Sequence, residues 1–302
     1  MGSPDVSVVI PVLNAGRYLP ELLPAILAQD PAPPREIVLV DSGSDDDTRA
    51  VAARFPSVRV IPIEHFSHGR ARNLGAADAS GAVIVLMTQD AVPAHREWMA
   101  RLLSPLADPQ VAASFSRQMP RPDASPMERF FLQTHFPPGR PVRRERTRAV
   151  LGLRDVFFSN VSAAVRRSVL LEHPFDESLI MSEDQQFARD VLYAGYATVY
   201  QPDSVVVHSH NYSLPVVFKR YLDSVYSLRI IFPEHGLRVS SAMGIHYLTR
   251  EAWHMVRHHP FRLPYYALYV AARTLGTYAG HAAEFMPRSL LRRLSLHSYH
   301  WT

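Results

Sequence analysis

The sequence predicts an α/β fold, a mostly parallel sheet flanked by helices and followed by a C-terminal helical extension. Three observations carry this. Between residues 6 and 87 short apolar runs alternate with stretches of helical spacing. Polar residues take over where those apolar runs stop. Beyond His210 the strand pattern gives way to helical, aromatic-rich sequence. Strands separated by helices of this length imply parallel pairing with right-handed crossovers. With 302 residues, 47% hydrophobic and 20% charged, the chain has ample material for a core. We place a catalytic domain at residues 1–210 and a helical region at 211–302.

The elements follow in order. "VSVVIPV" (6–12) is an apolar strand, and "RYLPELLPAILAQ" (17–29) has helical spacing with Pro20 and Pro24 crowding its start. "EIVLVD" (36–41) is a second strand. "DDDTRAVAARF" (45–55) is a helix whose acidic first turn suits the positive end of the macrodipole. "VRVIPI" (58–63), "GRARNLGAADAS" (69–80) and "AVIVLM" (82–87) supply a strand, an arginine-rich helix and a fourth strand. Residues 120–150, rich in proline and arginine, read as a long loop. "FFSNVSAAVRRSVL" (157–170) is a short strand leading into a helix. "SEDQQFARDVLYAG" (182–195) is a helix that Ser182 can cap and Gly195 ends, with Glu183 and Asp184 in its first turn. "ATVYQPDSVVVHSH" (197–210) adds one or two strands. The segment "LPYYALYVAARTLGTYAGHAAEFM" (263–286) is interrupted by Arg273, His281 and Glu284, so it reads as an amphipathic or buried helix, not a membrane span.

In parallel α/β sheets ligands bind outside the carboxyl ends of the strands. The polar residues that follow the strands are Asn14, Asp41, His65 to Arg72, and Asp90. Asp90 stands out in "VIVLMTQDAVP": a carboxylate at the mouth of a buried strand is costly to desolvate unless it binds something. Several classes are excluded. With no cysteine there are no disulfides and no thiolate metal sites. The first strand lacks a following G-x-G-x-x-G, against a dinucleotide-dependent oxidoreductase. No uncharged apolar segment is long enough for a processive membrane synthase. The N-terminus lacks a signal-peptide pattern, which reads as cytoplasmic.

The motifs "VSVVIPVLNAG", "IVLVDSGSDDDT", "RARNLGA", "VLMTQDA" and "SEDQQFA", in this order and spacing, resemble the family-2 glycosyltransferases. The resemblance covers roughly residues 5 to 225. Within that family, "HFSHGRARNLGA", "TQDA", "FFSNVSAA", "SEDQQFARDVL", "VVVHSHNYSL" and the terminal "LSLHSYHW" look like the rhamnosyltransferase branch. The resemblance implies an A-type, Rossmann-like fold and an inverting enzyme that uses a nucleotide-sugar donor. It implies transfer of L-rhamnose from dTDP-L-rhamnose to a saccharide or lipid-linked glycan. The alternatives are a UDP-linked donor on the same fold, or a nucleotide-sugar- or glycan-binding protein without turnover. Nucleic acid is not an expected partner.

The resemblance also assigns residues. Most of the family carries Asp-x-Asp at the end of the fourth strand, the later Asp holding Mg²⁺ or Mn²⁺. Here Thr88 takes the first position and Asp90 the metal-holding one, with Gln89 between them on the donor side. One carboxylate suffices for Mg²⁺, which takes most of its ligands from phosphate and water. A second ligand comes from His208 or His210, His208 by preference. The other reading makes both ordinary histidines of a strand terminus. Asp41 would accept a hydrogen bond from the ring N–H of uracil or thymine, unless it is a turn Asp before Ser-Gly. Pro11 and Asn14 lie where the first strand opens into the base-binding loop. Arg72 would reach the base or diphosphate, unless it lies on a solvated helix face. Asp184 would be the general base and Glu183 would bind or orient the acceptor, unless both merely serve the helix dipole. Asn160 would line the acceptor side.

Charge divides the chain: residues 1–209 carry 21 Arg against 24 acids, and residues 211–302 carry 11 Lys+Arg against 4. The basic tail, with Tyr265, Tyr266, Tyr269, Trp301 and the arginines 288, 292 and 293, points to an anionic membrane surface on the inner face of the plasma membrane. The competing expectation packs these helices on the catalytic domain or on a second copy, in a homodimer.

Overall fold

A computed structural model of the chain describes residues 5–233 and 237–301. Its contacts divide it into two units. The first gathers the chain up to Arg121, then Phe136–Leu179 and Glu183–His208. The second gathers Pro122–His135, Ile180–Ser182 and the chain from Ser209 on.

The first unit is built on a sheet of nine strands among the described residues. Strands β1 (Val6–Val12), β2 (Glu36–Asp41), β3 (Val58–Pro62) and β4 (Val83–Met87) alternate with helices α1 (Leu19–Leu27), α2 (Thr48–Ala52) and α3 (His68–Asp78). These four strands pair in parallel in the order β3-β2-β1-β4, as the alternation predicts. Strand β1 is buried on both faces, which is why it reads as an apolar run interrupted only by Ser7. Val8 and Ile10 pack with Leu19, Leu22 and Ile26 of α1. On the other face α3 lies close against the sheet because residue 75 is Gly; a Cβ there would sit 3.0 Å from Val40. Helix α2 is shorter than expected and starts after Asp46, which accepts from Gly16 N at 2.9 Å and from Thr48 N, the first residue of the helix, at 3.0 Å.

The rest of the sheet is mixed. After the short β5 (Val92–Pro93) and α4 (Trp98–Leu103), β6 (Val111–Met119) enters the sheet. Helix α5 (Pro126–His135), of the second unit, and β7 (Val142–Arg144) occupy the stretch expected to be a loop. The helix has a capping signature: Ser125 Oγ accepts from Glu128 N at 3.2 Å, and Pro126 opens the first turn. Strand β8 (Ser162–Arg166) and α6 (Arg167–Glu172) follow, then α7 (Glu183–Tyr193) and β9 (Ala197–Val207). Gly195, at φ +90°, ends α7 as expected. Residues 197–207 form a single strand, with an irregular register opposite Ser116/Arg117, beside Pro202. Strand β8 runs antiparallel to both β4 and β6, while β6 and β9 are parallel to each other. The ends of β1, β2, β4, β6 and β9 therefore share one edge with the start of β8.

The second unit is helical: α5, α8 (Leu214–Ile231), α9 (Leu237–His258), α10 (Leu263–Ala282) and α11 (Arg288–Leu294). None of its helices is long and apolar enough to cross a membrane among the described residues. Helices α8 and α10 pack tightly, and Gly280 permits it; a Cβ there would lie 2.7 Å from the Leu222 carbonyl. At its centre Glu251, 1% exposed, binds Arg273 at 2.6 Å and accepts from the hydroxyls of Tyr247 and Tyr266, each at 3.1 Å. Tyr247 and Tyr269 also face the guanidinium. Breaking a buried pair leaves an uncompensated charge. Glu251→Ala should therefore destabilise this unit by about 3 kcal/mol in urea unfolding followed by helical circular dichroism. A loss under about 0.5 kcal/mol would mean that water enters the cluster.

Candidate active site

The edge where β1 and β2 end is held by local hydrogen bonds. Asp41, 1% exposed, accepts from Ser44 N at 2.9 Å and Ser44 Oγ at 2.6 Å on one oxygen. Its other oxygen meets Arg49 Nε at 2.7 Å. Burial raises its pKa, but the Ser44 bonds and Arg49 outweigh that and hold it below the usual carboxylate range. The turn expected of an Asp before Ser-Gly is formed. Asn14, at φ +51°, donates its backbone N–H to Ser44 Oγ and accepts from Asp45 N at 3.0 Å, joining the β1 loop to the β2 loop. Pro11 is within β1 and opposite Val40. The Gln89 amide clasps the backbone of Leu13, accepting from its N–H at 2.9 Å and donating to its carbonyl at 3.1 Å. Gln89 thus fastens the β4 loop to the β1 loop.

At the start of α7 two adjacent carboxyls are driven apart in acidity. Glu183, 5% exposed, pairs with Arg72 at 3.1 Å and accepts from Asn160 Nδ2 at 3.2 Å. Burial opposes its ionisation, yet Arg72, His68 and Asn160 outweigh burial and lower its pKa. Asp184 is pushed up to about 7 by burial and by the neighbouring Glu183 charge, against the smaller pull of Arg72. Gln185 N and the Asn160 backbone N–H also point to the Asp184 carboxyl. Asn160 therefore touches both acids. The antiparallel pairing of β8 with β4 brings it there, two residues before Ser162, which lies opposite Met87. Arg72 is 4% exposed and also donates to the His68 carbonyl at 2.9 Å, so it is not on a solvated helix face. Ser182, immediately before the helix, has φ +67°, a strained conformation for a non-glycine residue beside the paired acids.

At the ends of β4, β6 and β9 a third group assembles. Asp90 Oδ1 lies 3.6 Å from His208 Nε2, and both residues are buried. Gln118 of β6 donates its Nε2 to Ser159 Oγ at 3.0 Å, so its Oε1 accepts from His208 Nδ1 at 3.0 Å. That bond places the proton on Nδ1 and turns Nε2 toward Asp90, the tautomer in which a histidine serves as a metal ligand. Arg121 braces the same loop through the Asp90 carbonyl at 2.6 Å. His208 falls just past the end of β9, so strand alternation does not set its direction; Gln118 does. His210 follows two residues on, in the helical unit, where its N–H donates to Glu128 and its ring stacks on Tyr212. Asp90 and His208 can each offer a ligand atom to a metal ion. Thr88 Oγ1, Asn160 Oδ1 and Arg72 Nε are buried with no protein hydrogen-bond partner. Such atoms are rare in proteins and mark places where something else supplies the bond. Gln118, Ser159 and Arg121 are not marked in the sequence, because Gln118 lies near the end of a strand whose buried serines leave no apolar run to read.

The fold is that of the A-type glycosyltransferases. The chain resembles the mannosyltransferase PcManGT from Pyrobaculum calidifontis, solved in complex with GDP-Man and Mn²⁺, with a TM-score of 0.62 at 20% identity over 94% of this chain and 87% of that one. It also resembles S. aureus TarS 1–349 in complex with UDP-GlcNAc, with a TM-score of 0.56 at 16% identity over 96% and 84%. The chain belongs to glycosyl transferase family 2, whose family model matches residues 7–173. It is 32% identical to the O-antigen chain rhamnosyltransferase RfbN of Salmonella typhimurium, over 98% of this chain and 96% of the relative. With the O-antigen chain rhamnosyltransferase WbaN of Salmonella anatum it shares 29% over 99% and 96%.

Proposed function

We propose that the protein transfers L-rhamnose from dTDP-L-rhamnose, with inversion, to a saccharide or lipid-linked glycan during synthesis of a cell-surface polysaccharide. The observation that carries this reading is the Glu183–Asp184 pair, with Asp184 poised near neutrality. The full-length likeness to two O-antigen rhamnosyltransferases supports the choice of sugar. In this reading Asp184 takes the proton of the acceptor hydroxyl as its oxygen attacks the anomeric carbon. The bond to the nucleoside diphosphate breaks on the opposite face. Glu183, kept ionised by Arg72 and Asn160, orients the acceptor. Asp90 and His208 would hold Mg²⁺ or Mn²⁺, and the imidazole favours Mn²⁺. When bound, the ion neutralises the charge that develops on the departing diphosphate. Incubating the protein with dTDP-L-rhamnose and with UDP-hexoses, and following donor hydrolysis, tests the reading. Turnover of a UDP-hexose alone would replace the rhamnose donor.

The pH profile gives a second check. A base must be ionised to act, so transfer should rise with pH through about 7 and level off above it. A rate level from about pH 5.5 to 8.5 would take Asp184 out of the role.

The nucleotide is tested separately. PcManGT is solved with GDP-Man and TarS with UDP-GlcNAc on this fold, so the fold alone does not fix the base, and in this reading the loop around Asp41 does. With Asp41 meeting a pyrimidine ring N–H, dTDP and UDP should both raise the melting temperature, and GDP and ADP should not. A GDP-specific shift would sink both the base assignment and the rhamnose donor.

A further inference from the structure

Helix α10 is amphipathic in reverse. Its one arginine, Arg273, points into the helical unit and is tied to Glu251. Its opposite side is exposed and uncharged: Tyr265 is 38% exposed, Leu268 58%, Leu275 61% and Tyr278 66%. Phe261, 98% exposed, precedes the helix, and Phe285, 83% exposed, follows it. The spacing of these residues places them along one side of a 20-residue helix, about 30 Å of continuous apolar surface. Tyr266 and Tyr269, expected from the sequence to face outward, instead pack inside with Met255 and Met127. Trp301 lies against Tyr226.

Both ends of this stripe are basic. Arg257 and Arg262 are exposed before it, and Arg288, Arg292 and Arg293 are exposed after it. From residue 244 to 301 the described chain has two acids: Glu251 is buried, and Glu284 is paired with Arg229 at 2.7 Å. An apolar face of this length, rimmed by one sign of charge, needs an apolar occupant with an anionic border. A second copy of the chain does not fit, because basic ends would face basic ends in either orientation.

We propose that this face of α10 is the surface by which the protein lies on an anionic lipid bilayer. The leucines and aromatics enter the boundary between headgroups and acyl chains, and the flanking arginines meet the lipid phosphates. The helix lies in the plane of the interface and does not cross it. The proposal is independent of the transfer chemistry: it needs no donor, metal or base.

Co-sedimentation with phosphatidylcholine vesicles, with and without phosphatidylglycerol, tests it on the full chain. Binding should require phosphatidylglycerol and weaken as salt rises. Leu268→Gln with Leu275→Gln should reduce binding at least about tenfold, and Arg288→Gln with Arg292→Gln and Arg293→Gln should reduce it comparably. Both variants should keep the wild-type melting temperature and the rate of donor hydrolysis measured without vesicles. Equal binding to both kinds of vesicle, or none to either, would overturn the proposal. So would a concentration-dependent dimer in sedimentation velocity that the leucine variant abolishes, which would assign the face to a second copy. Failure of donor hydrolysis in every protein would overturn the proposed function instead and leave the vesicle result standing.

Discussion

Asp184→Asn is expected to lower sugar transfer by about 10²–10⁴-fold while nucleotide binding is unchanged. Asn keeps the shape of the side chain and an oxygen for the Gln185 and Asn160 N–H groups, but it accepts no proton. Asp41 and Asp90 belong to other strand ends, so the nucleotide affinity measured by calorimetry should stay as it was. Stability gives a control. The raised pKa means that the folded state holds a proton which the unfolded chain has already released between the ordinary carboxylate range and about pH 7. Wild-type stability therefore falls as pH rises through that window, whereas the Asn variant escapes the penalty. Above pH 7 the variant should melt no lower than wild type. A slow variant that is also less stable would point to a structural lesion, and a variant with near-normal turnover would remove Asp184 as the base.

The readable parts of the sequence were those where one physical rule dominates. Strands β1, β2 and β4 are largely apolar on both faces, so their runs and the parallel order of the sheet were legible. So was the principle that chemistry gathers where those runs stop. Strand β6 was not legible, because its buried positions include Ser114 and Ser116. Ser116 bonds to Ser162 at 2.7 Å and Ser204 at 2.8 Å, and a hydrogen-bonded serine core leaves no apolar alternation to read. Gln118 was hidden with it. Proline and arginine masked α5, although its Ser-x-x-Glu cap was present. The Arg72–Glu183 pair joins helices far apart in sequence, and only the folded sheet brings them together. The direction of α10 failed for a different reason: Arg273 is satisfied by Glu251, which inverts the usual rule that the charged side of a helix faces water.

Metal binding should separate the residues that touch an ion from the one that aims them. Asp90→Ala is expected to abolish Mn²⁺ binding read by electron paramagnetic resonance, and transfer should stop in EDTA and return with added Mn²⁺. Gln118→Leu is expected to weaken Mn²⁺ by about 10–100-fold, the usual cost of losing the partner that orients a ligating histidine. The reason lies in the geometry. Ser159 fixes the Gln118 amide, the amide oxygen holds the His208 Nδ1 proton, and Nε2 is thereby directed at Asp90. Gln118→Glu should retain most of the affinity, because a carboxylate oxygen can accept the same proton. A merely structural Gln118 would give equal losses in the Leu and Glu variants and a lower melting temperature in both. Full transfer in EDTA by the wild-type protein would mean that Thr88, in place of an aspartate, marks a metal-free variant of the family. Asp90 and His208 would then have to be explained as a hydrogen-bonded brace for the donor loop.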